Sequence, residues 1–365
     1  MTNTKTARRV ALGLCAATAA AAFSAPAFAD ADFTGQTIEY VIPFSESGGS
    51  ARWANFYAPL LSEALAGSPT VVVRYRPGAG STAGANWFQE QTTDDGTLIF
   101  GTSGSTQFPY LLRDPRVRYE YQDWTPVLAS GTGGVVYLPP ELGERFDGDA
   151  DDLQDEFMIF GSQGATTLDL VPLLAFQMLG LQVEPVFGIE GRGDGRLMFE
   201  RGEANIDYQT SSAYLRNVVP LVEQGLAVPM MSWGVLDNDG NIVRDPTFPD
   251  IPTFREVCEA TEGCETSGVA WDAWRAFFVS GFAAQKLIYL PGTASDEVVA
   301  AYAEALQAVL ARPDFAEISA AELGLYPQMI GAAARVAHEQ AITVSDEARD
   351  FVLTWLREDY GVTIE

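Results

Sequence analysis

The chain has 365 residues, with 22 Lys+Arg against 49 Asp+Glu, a net charge of −27, one histidine and three cysteines. So acidic a balance argues against nucleic acid and anionic membrane surfaces as partners. The one histidine, His338, is on a helix that reads as solvent-facing, which argues against Ser-His-Asp and Cys-His catalysis and the commonest imidazole metal sites.

Residues 1–29 read as an export leader. Lys5, Arg8 and Arg9 supply the positive start, 10–23 are small and apolar, and Ala27-Phe28-Ala29 is an A-x-A-type cleavage site before Asp30. The apolar stretch is too short for a membrane span, and no other segment reaches about 18 apolar residues. Cys15 follows Leu14 rather than a small residue, against a lipoprotein anchor. Arg8-Arg9 leaves both Sec and twin-arginine export open. Periplasmic location with cleavage after Ala29 is expected. Without the leader's three cations the chain keeps 19 basic against 49 acidic residues, net −30, with Lys286 as its one lysine. This acidity reads as a solvated surface suited to salt, with a cationic ligand as the alternative.

Residues 38–44 alternate as a strand and end at Ser45-Glu46-Ser47-Gly48-Gly49-Ser50. A helical pattern follows, with Trp53, Phe56, Tyr57, Leu60, Leu61, Ala64 and Leu65 on one face and a kink expected at Pro59. Residues 70–75 are a β-branched strand stopping at Arg76-Pro77-Gly78-Ala79-Gly80. Then come a helix near 83–91, a strand at 97–101, and the polar turn Thr102-Ser103-Gly104-Ser105-Thr106. Strands 127–130 and 135–138 flank Gly131-Thr132-Gly133-Gly134, which reads as a crossing between domains. Strand 157–161 leads into Ser162-Gln163-Gly164-Ala165-Thr166-Thr167 and a helix with Leu170, Leu173, Leu174, Phe176 and Leu179. Strand 183–189 ends at Glu190-Gly191-Arg192, and a strand at 205–209 ends at Thr210-Ser211-Ser212. Residues 228–235 read as a return crossing, followed by a proline-rich ordered linker at 244–253. Cys258 and Cys264 are expected to close a small disulfide loop. Amphipathic helices near 296–310 and 332–357 close the chain. Strands alternating with helices imply an α/β class with mostly parallel sheets flanked by helices.

Polar Gly/Ser/Thr turns recur at strand ends in both expected halves, where open α/β sheets bind ligands. A glycine-serine turn feeding a helix also presents unpaired N–H groups at the positive end of the helix dipole, which suits an anion. Polar loops are ordinary in α/β proteins, so the weight lies in several converging on one cleft.

These residues resemble the periplasmic solute-binding receptors of tripartite tricarboxylate transporters, the extracytoplasmic carboxylate-binding family. The likeness runs over nearly the whole chain after the leader. It rests on Val41-Ile42-Pro43-Phe44 with Gly48-Gly49-Ser50, on Val71-Val72-Val73-Arg74 with Arg76-Pro77-Gly78-Ala79-Gly80, and on Asp95-Gly96-Thr97-Leu98. Further matches are Gly202-Glu203-Ala204-Asn205-Ile206-Asp207, Pro249-Asp250-Ile251-Pro252-Thr253-Phe254 with Glu256, and Leu290-Pro291-Gly292-Thr293-Ala294. The resemblance implies a two-domain, periplasmic-binding-protein-like (type II) fold with its ligand cleft between the domains. Domain 1 is expected at 30–130 and 245–365, domain 2 at 131–244. It implies a carboxylate held by Ser45, Gly48, Gly49 and Ser50 from one side and Ser162, Gln163, Thr166 and Thr167 from the other. Ser103 and Ser105 join the first set, and Gly191 the second. Arg192 is placed to pair with a distal anionic group, or else is an ordinary surface arginine.

It further implies a non-enzymatic monomer with no cofactor or metal, which hands its ligand to large and small membrane subunits. A signalling role is the alternative. Ala51 and Arg52 stand where the family commonly has Asp, which weakens the case for amino-acid ligands. Residues 78–84 also fit a G-x-G-x-x-x-G dinucleotide pattern. The acid that pattern needs should end the next strand, whereas Asp94 and Asp95 precede it.

Overall fold

The computed structural model describes residues 1–2, 31–237 and 239–364, so the expected leader lies almost wholly outside the described residues. The chain begins β1 (Thr37–Ile42), α1 (Gly49–Ala64), β2 (Thr70–Tyr75), α2 (Thr82–Gln89), β3 (Leu98–Gly101), α3 (Gly104–Leu111) and β4 (Thr125–Ser130). After residues 131–133 come β5 (Gly134–Leu138), α4 (Pro140–Gly143), β6 (Phe157–Ser162), α5 (Leu170–Met178), β7 (Gln182–Phe187) and α6 (Arg192–Glu200). Next are β8 (Asp207–Thr210), α7 (Ser211–Ala213), α8 (Val219–Glu223), β9 (Val228–Ser232), β10 (Val235–Leu236), β11 (Ile242–Val243), α9 (Phe254–Ala260) and α10 (Gly268–Phe278). The chain closes with β12 (Lys286–Leu290), α11 (Asp296–Leu310), α12 (Phe315–Glu322), β13 (Gln328–Ile330), α13 (Gly331–Ala341) and α14 (Asp346–Tyr360).

The first half is a six-stranded sheet ordered β13-β4-β12-β3-β1-β2. Its helix-linked strands β1, β2 and β3 pair in parallel, as helical crossovers require. β12 pairs antiparallel with β3 and β4, and β13 antiparallel with β4. The second half holds the antiparallel sheet β8-β5-β9 and the parallel pair β6-β7. Among the described residues three strand pairs are parallel, two of them at the core of the main sheet. The strands that follow a passage between halves run antiparallel. β4 and β5 lie in different sheets, so the chain changes halves across 131–133.

Hydrophobic burial follows the same line in the main, although Phe108, Leu111 and Leu112 at α3 of the first half join the core of the second. Tyr40, Trp53, Tyr57, Ile288 and Leu306 share a core beneath α1 and α11. Leu170, Leu174 and Phe176 of α5 share another with Trp271, Trp274 and Phe277 of α10 and Val352, Trp355 and Leu356 of α14. α9, α10 and the last helix therefore pack with the second half, whereas the sequence division at 244/245 places them with the first. A helix's apolar stripe does not record which sheet it covers.

Other differences are local. Residues 332–357 form two helices, because the Ser345 hydroxyl accepts the Ala348 N–H and starts α14 afresh. His338 is buried, its Nδ1 bonded to the Tyr289 hydroxyl at 2.8 Å, because α13 lies against the sheet rather than facing solvent. The Cys258–Cys264 disulfide is present, with Cα atoms 5.1 Å apart. Among the described residues no helix is long and apolar enough to cross a membrane.

Candidate functional site

Residues 43–48 carry the chain from β1 to the start of α1. Gly48 is extended, and no side chain caps the helix. Gly191 opens α6 on the second half in the same uncapped way. The two helix starts abut. A Cβ added at Gly48 would lie 3.6 Å from the Gly193 nitrogen, and one at Gly191 would lie 2.5 Å from Ser45 Oγ. One at Gly49 would overlap Thr210 Oγ1 and stand 3.1 Å from Ser212 Oγ. Close approach between the halves, rather than backbone angle, therefore demands glycine here. A third helix start, α3, is capped by Ser103, whose Oγ accepts the Ser105 N–H at 3.3 Å. Two uncapped helix N-termini thus face one another, with a third beside them, and concentrate positive potential on one spot.

That spot is a small cavity of about 20 Å³ between the halves. Nine sequence candidates line it: Ser45, Gly48, Gly49, Ser50, Ser103, Ser105, Gln163, Gly191 and Arg192. Phe44, Leu168, Thr210, Gln285 and Lys286 complete the wall. Ser162, Thr166 and Thr167 are elsewhere. Ser162 Oγ donates to Asp169 at 3.0 Å, Thr166 meets Arg116 at 2.9 Å and Asp114 at 3.2 Å, and Thr167 Oγ1 donates to the Gly164 carbonyl at 2.7 Å. Such contacts brace the loop and its mate across the halves.

Arg192 is only 6 % exposed and is not a surface residue. Its guanidinium pairs with Asp207 and with Asp169 at 3.4 Å, donates to the Gly161 carbonyl at 2.5 Å, and stacks on Phe160 and Tyr208. Burial opposes its charge, but the two carboxylates outweigh burial and hold it protonated. Its side chain ties β6 to β8 and is already committed, so pairing with a distal anionic group falls away. Asp169 in turn accepts from the Gln163 N–H at 2.7 Å and fixes the loop that reaches the cavity.

Uncommitted groups remain in the wall. Ser105 Oγ reaches Gln163 Oε1 at 3.3 Å, which leaves Gln163 Nε2 buried without a partner. Gln285 Oε1 is also buried and unpartnered. Lys286 is buried at 3 % exposure, and among the described residues its Nζ hydrogen-bonds only Ser50 Oγ, at 3.5 Å. Burial pushes its amine down to about 7. Thr210 sat in a polar turn already visible in the sequence. Gln285 and Lys286 were missed, and the signal for them was a lone lysine at the head of the apolar run Leu287-Ile288-Tyr289-Leu290.

Gln163 also lines an open groove of about 670 Å³, bounded by Gly78–Gly80, Asp114–Arg116 and Gly188–Glu190, so the inner cavity adjoins a wider cleft. Another groove of about 820 Å³ lies on the outer side of α1, beside Arg52, Phe56 and Glu322. Among the described residues no cluster of three His, Cys, Asp or Glu could hold a metal. The site has donors and a buried lysine amine that can take a proton, which suits holding an anion.

No protein-family model matches the chain, and no curated protein matches it in sequence. Solved structures do. The adipate-bound Rpa4515 protein of Rhodopseudomonas palustris aligns with a TM-score of 0.64 at 16 % identity, over 91 % of this chain and 99 % of its own. Malate-bound MatC from the same organism aligns at 0.62 and 16 %, over 87 % and 98 %. The periplasmic binding protein BugD aligns at 0.62 and 20 %, over 90 % and 98 %. The chain therefore shares the α/β fold of these periplasmic binding proteins.

Proposed function

We propose that this chain is an exported solute-binding receptor of the extracytoplasmic carboxylate-binding family that serves tripartite tricarboxylate transporters. It captures a small carboxylate between two domains, residues 31–130 with 286–345 and residues 131–285 with 346–364. It then delivers the ligand to the large and small membrane subunits of the transporter. It acts as a monomer in the periplasm after cleavage at Ala29.

One observation carries this reading: uncapped helix starts at Gly49 and Arg192 meet at a buried cavity that also holds an unpaired lysine. Oriented N–H and O–H donors in a dry site hold an anion more strongly than water-exposed ones. The malate and adipate carried by two proteins of the same fold agree with that chemistry. A cavity of about 20 Å³ takes little more than one water-sized group. Capture of a whole dicarboxylate therefore requires the halves to part and close again, a hinge motion typical of such receptors.

A thermal-shift screen with mono-, di- and tricarboxylates at low and high salt tests the reading. A ligand at about 100 times its Kd adds about 2.7 kcal/mol, a rise of several degrees. A saturable rise with one carboxylate class is expected. No rise with any carboxylate in a folded sample refutes the proposal.

A further inference from the structure

Lys286 is one of only two lysines in the sequence, the other being Lys5. It opens β12 opposite Ser130 of β4 and ends in the cavity. Its 3.5 Å contact with Ser50 Oγ lies at the outer limit of a hydrogen bond. A buried ammonium without counter-charge is costly, and a methionine there would simply extend the apolar strand. Gln163 Nε2 and Gln285 Oε1, also unpartnered, share the wall. We propose, building on the receptor reading above, that Lys286 is the counter-ion of the captured anion and that a proton enters the cavity with the ligand.

The surrounding charges are engaged elsewhere. On α1, Arg52 points to Glu322, 3.9 Å away. On α6, Arg192 is held by Asp169 of the facing loop and Asp207 of β8. Tyr40 of β1 and Tyr57 of α1 share the core on this face of the sheet, and burial keeps both phenols neutral. Tyr289, bonded to His338 of α13, belongs to the core on the other face. Burial alone therefore acts on the Lys286 amine and favours its neutral form. An anion seated against Nζ supplies the missing attraction, and the amine regains its proton. Affinity then weakens as pH rises above the free amine's midpoint, by up to about tenfold per pH unit for one linked proton. A neutral amide analogue gains nothing from this lysine, so the same residue selects for charge.

The test uses the full chain carrying Lys5→Arg, so that lysine labelled with ¹³C at Cε gives a single resonance, that of Lys286. The probes are acetate, malate, adipate, citrate and inorganic phosphate. Without probe, Lys286 should titrate near 7, far below the ordinary lysine value of about 10.4. A bound probe should raise that midpoint by a unit or more. Lys286→Met should bind the same probe at least tenfold more weakly, with affinity independent of pH. Binding that leaves the Lys286 titration unmoved, or a Lys286→Met affinity within twofold of the natural chain, overturns this proposal and leaves the receptor reading standing. If Lys286→Met does not fold, the resonance alone decides. Failure of every probe to bind at pH 6 overturns both.

Discussion

Gly49→Ala should hold the receptor open. Gly49 is the first residue of α1 and its φ is not in the left-handed region, so alanine strains no backbone. The added methyl would overlap Thr210 Oγ1 and sit 3.1 Å from Ser212 Oγ, both on the opposite half. Overpacking of this kind costs about 1–3 kcal/mol. The penalty falls only on the closed form, so it reappears as lost affinity of about 5- to 150-fold, while unfolding midpoints stay unchanged or rise slightly. Calorimetric titration of whichever carboxylate stabilises the natural chain measures the loss. Thr210→Ala removes the overlapping atom, so Gly49→Ala/Thr210→Ala should recover part of the affinity, seen as a coupling in a double-mutant cycle. Natural affinity in Gly49→Ala, or no coupling with Thr210, would refute the proposed contact between the two helix starts.

Arg192→Met strands Asp169 and Asp207 in the interior and should destabilise the fold by about 3–5 kcal/mol in urea unfolding, against little change if Arg192 served only the ligand. Reducing the Cys258–Cys264 bridge, which spans six residues of separation, should cost about 2 kcal/mol by loop-closure entropy and leave carboxylate affinity intact. Stability of the ligand-free protein should rise with pH above about 7. From there to the ordinary lysine value, the unfolded chain keeps a proton on Lys286 that the folded chain has released. Urea midpoints at pH 7, 8 and 9 should climb for the natural chain, and the slope should flatten in Lys286→Met.

The elements that carry the site were legible because their signals are local. The alternating run before Ser45, the glycines at 48 and 49 and the apolar stripe from Trp53 to Leu61 declare a strand, a turn and a helix. Ser295 with Asp296 and Glu297 likewise marks the start of α11 where the structure has it. β12 is buried on every residue and so shows no alternation, and unlike the equally buried β3 and β5 it has no glycine turn immediately before it in the sequence. The roles of Arg192 and His338 depend on partners 15 or more positions away, such as Asp207 and Tyr289, and no spacing rule names them. Ser162, Thr166 and Thr167 have the composition of an anion loop, yet Asp169, Asp114 and Gly164 occupy their hydroxyls. Hydroxyl count in a turn marks where donors are plentiful; the packing decides which remain free.

The most direct experiment is a crystal structure of the chain with the carboxylate that stabilises it most. One carboxylate group should lie between the N-terminus of α1 and that of α6, within hydrogen-bonding distance of the Gly49 or Ser50 N–H and of Lys286 Nζ. A ligand found in the groove outside α1, or held without contact to either helix start, would show that this cavity is not where the protein takes its cargo.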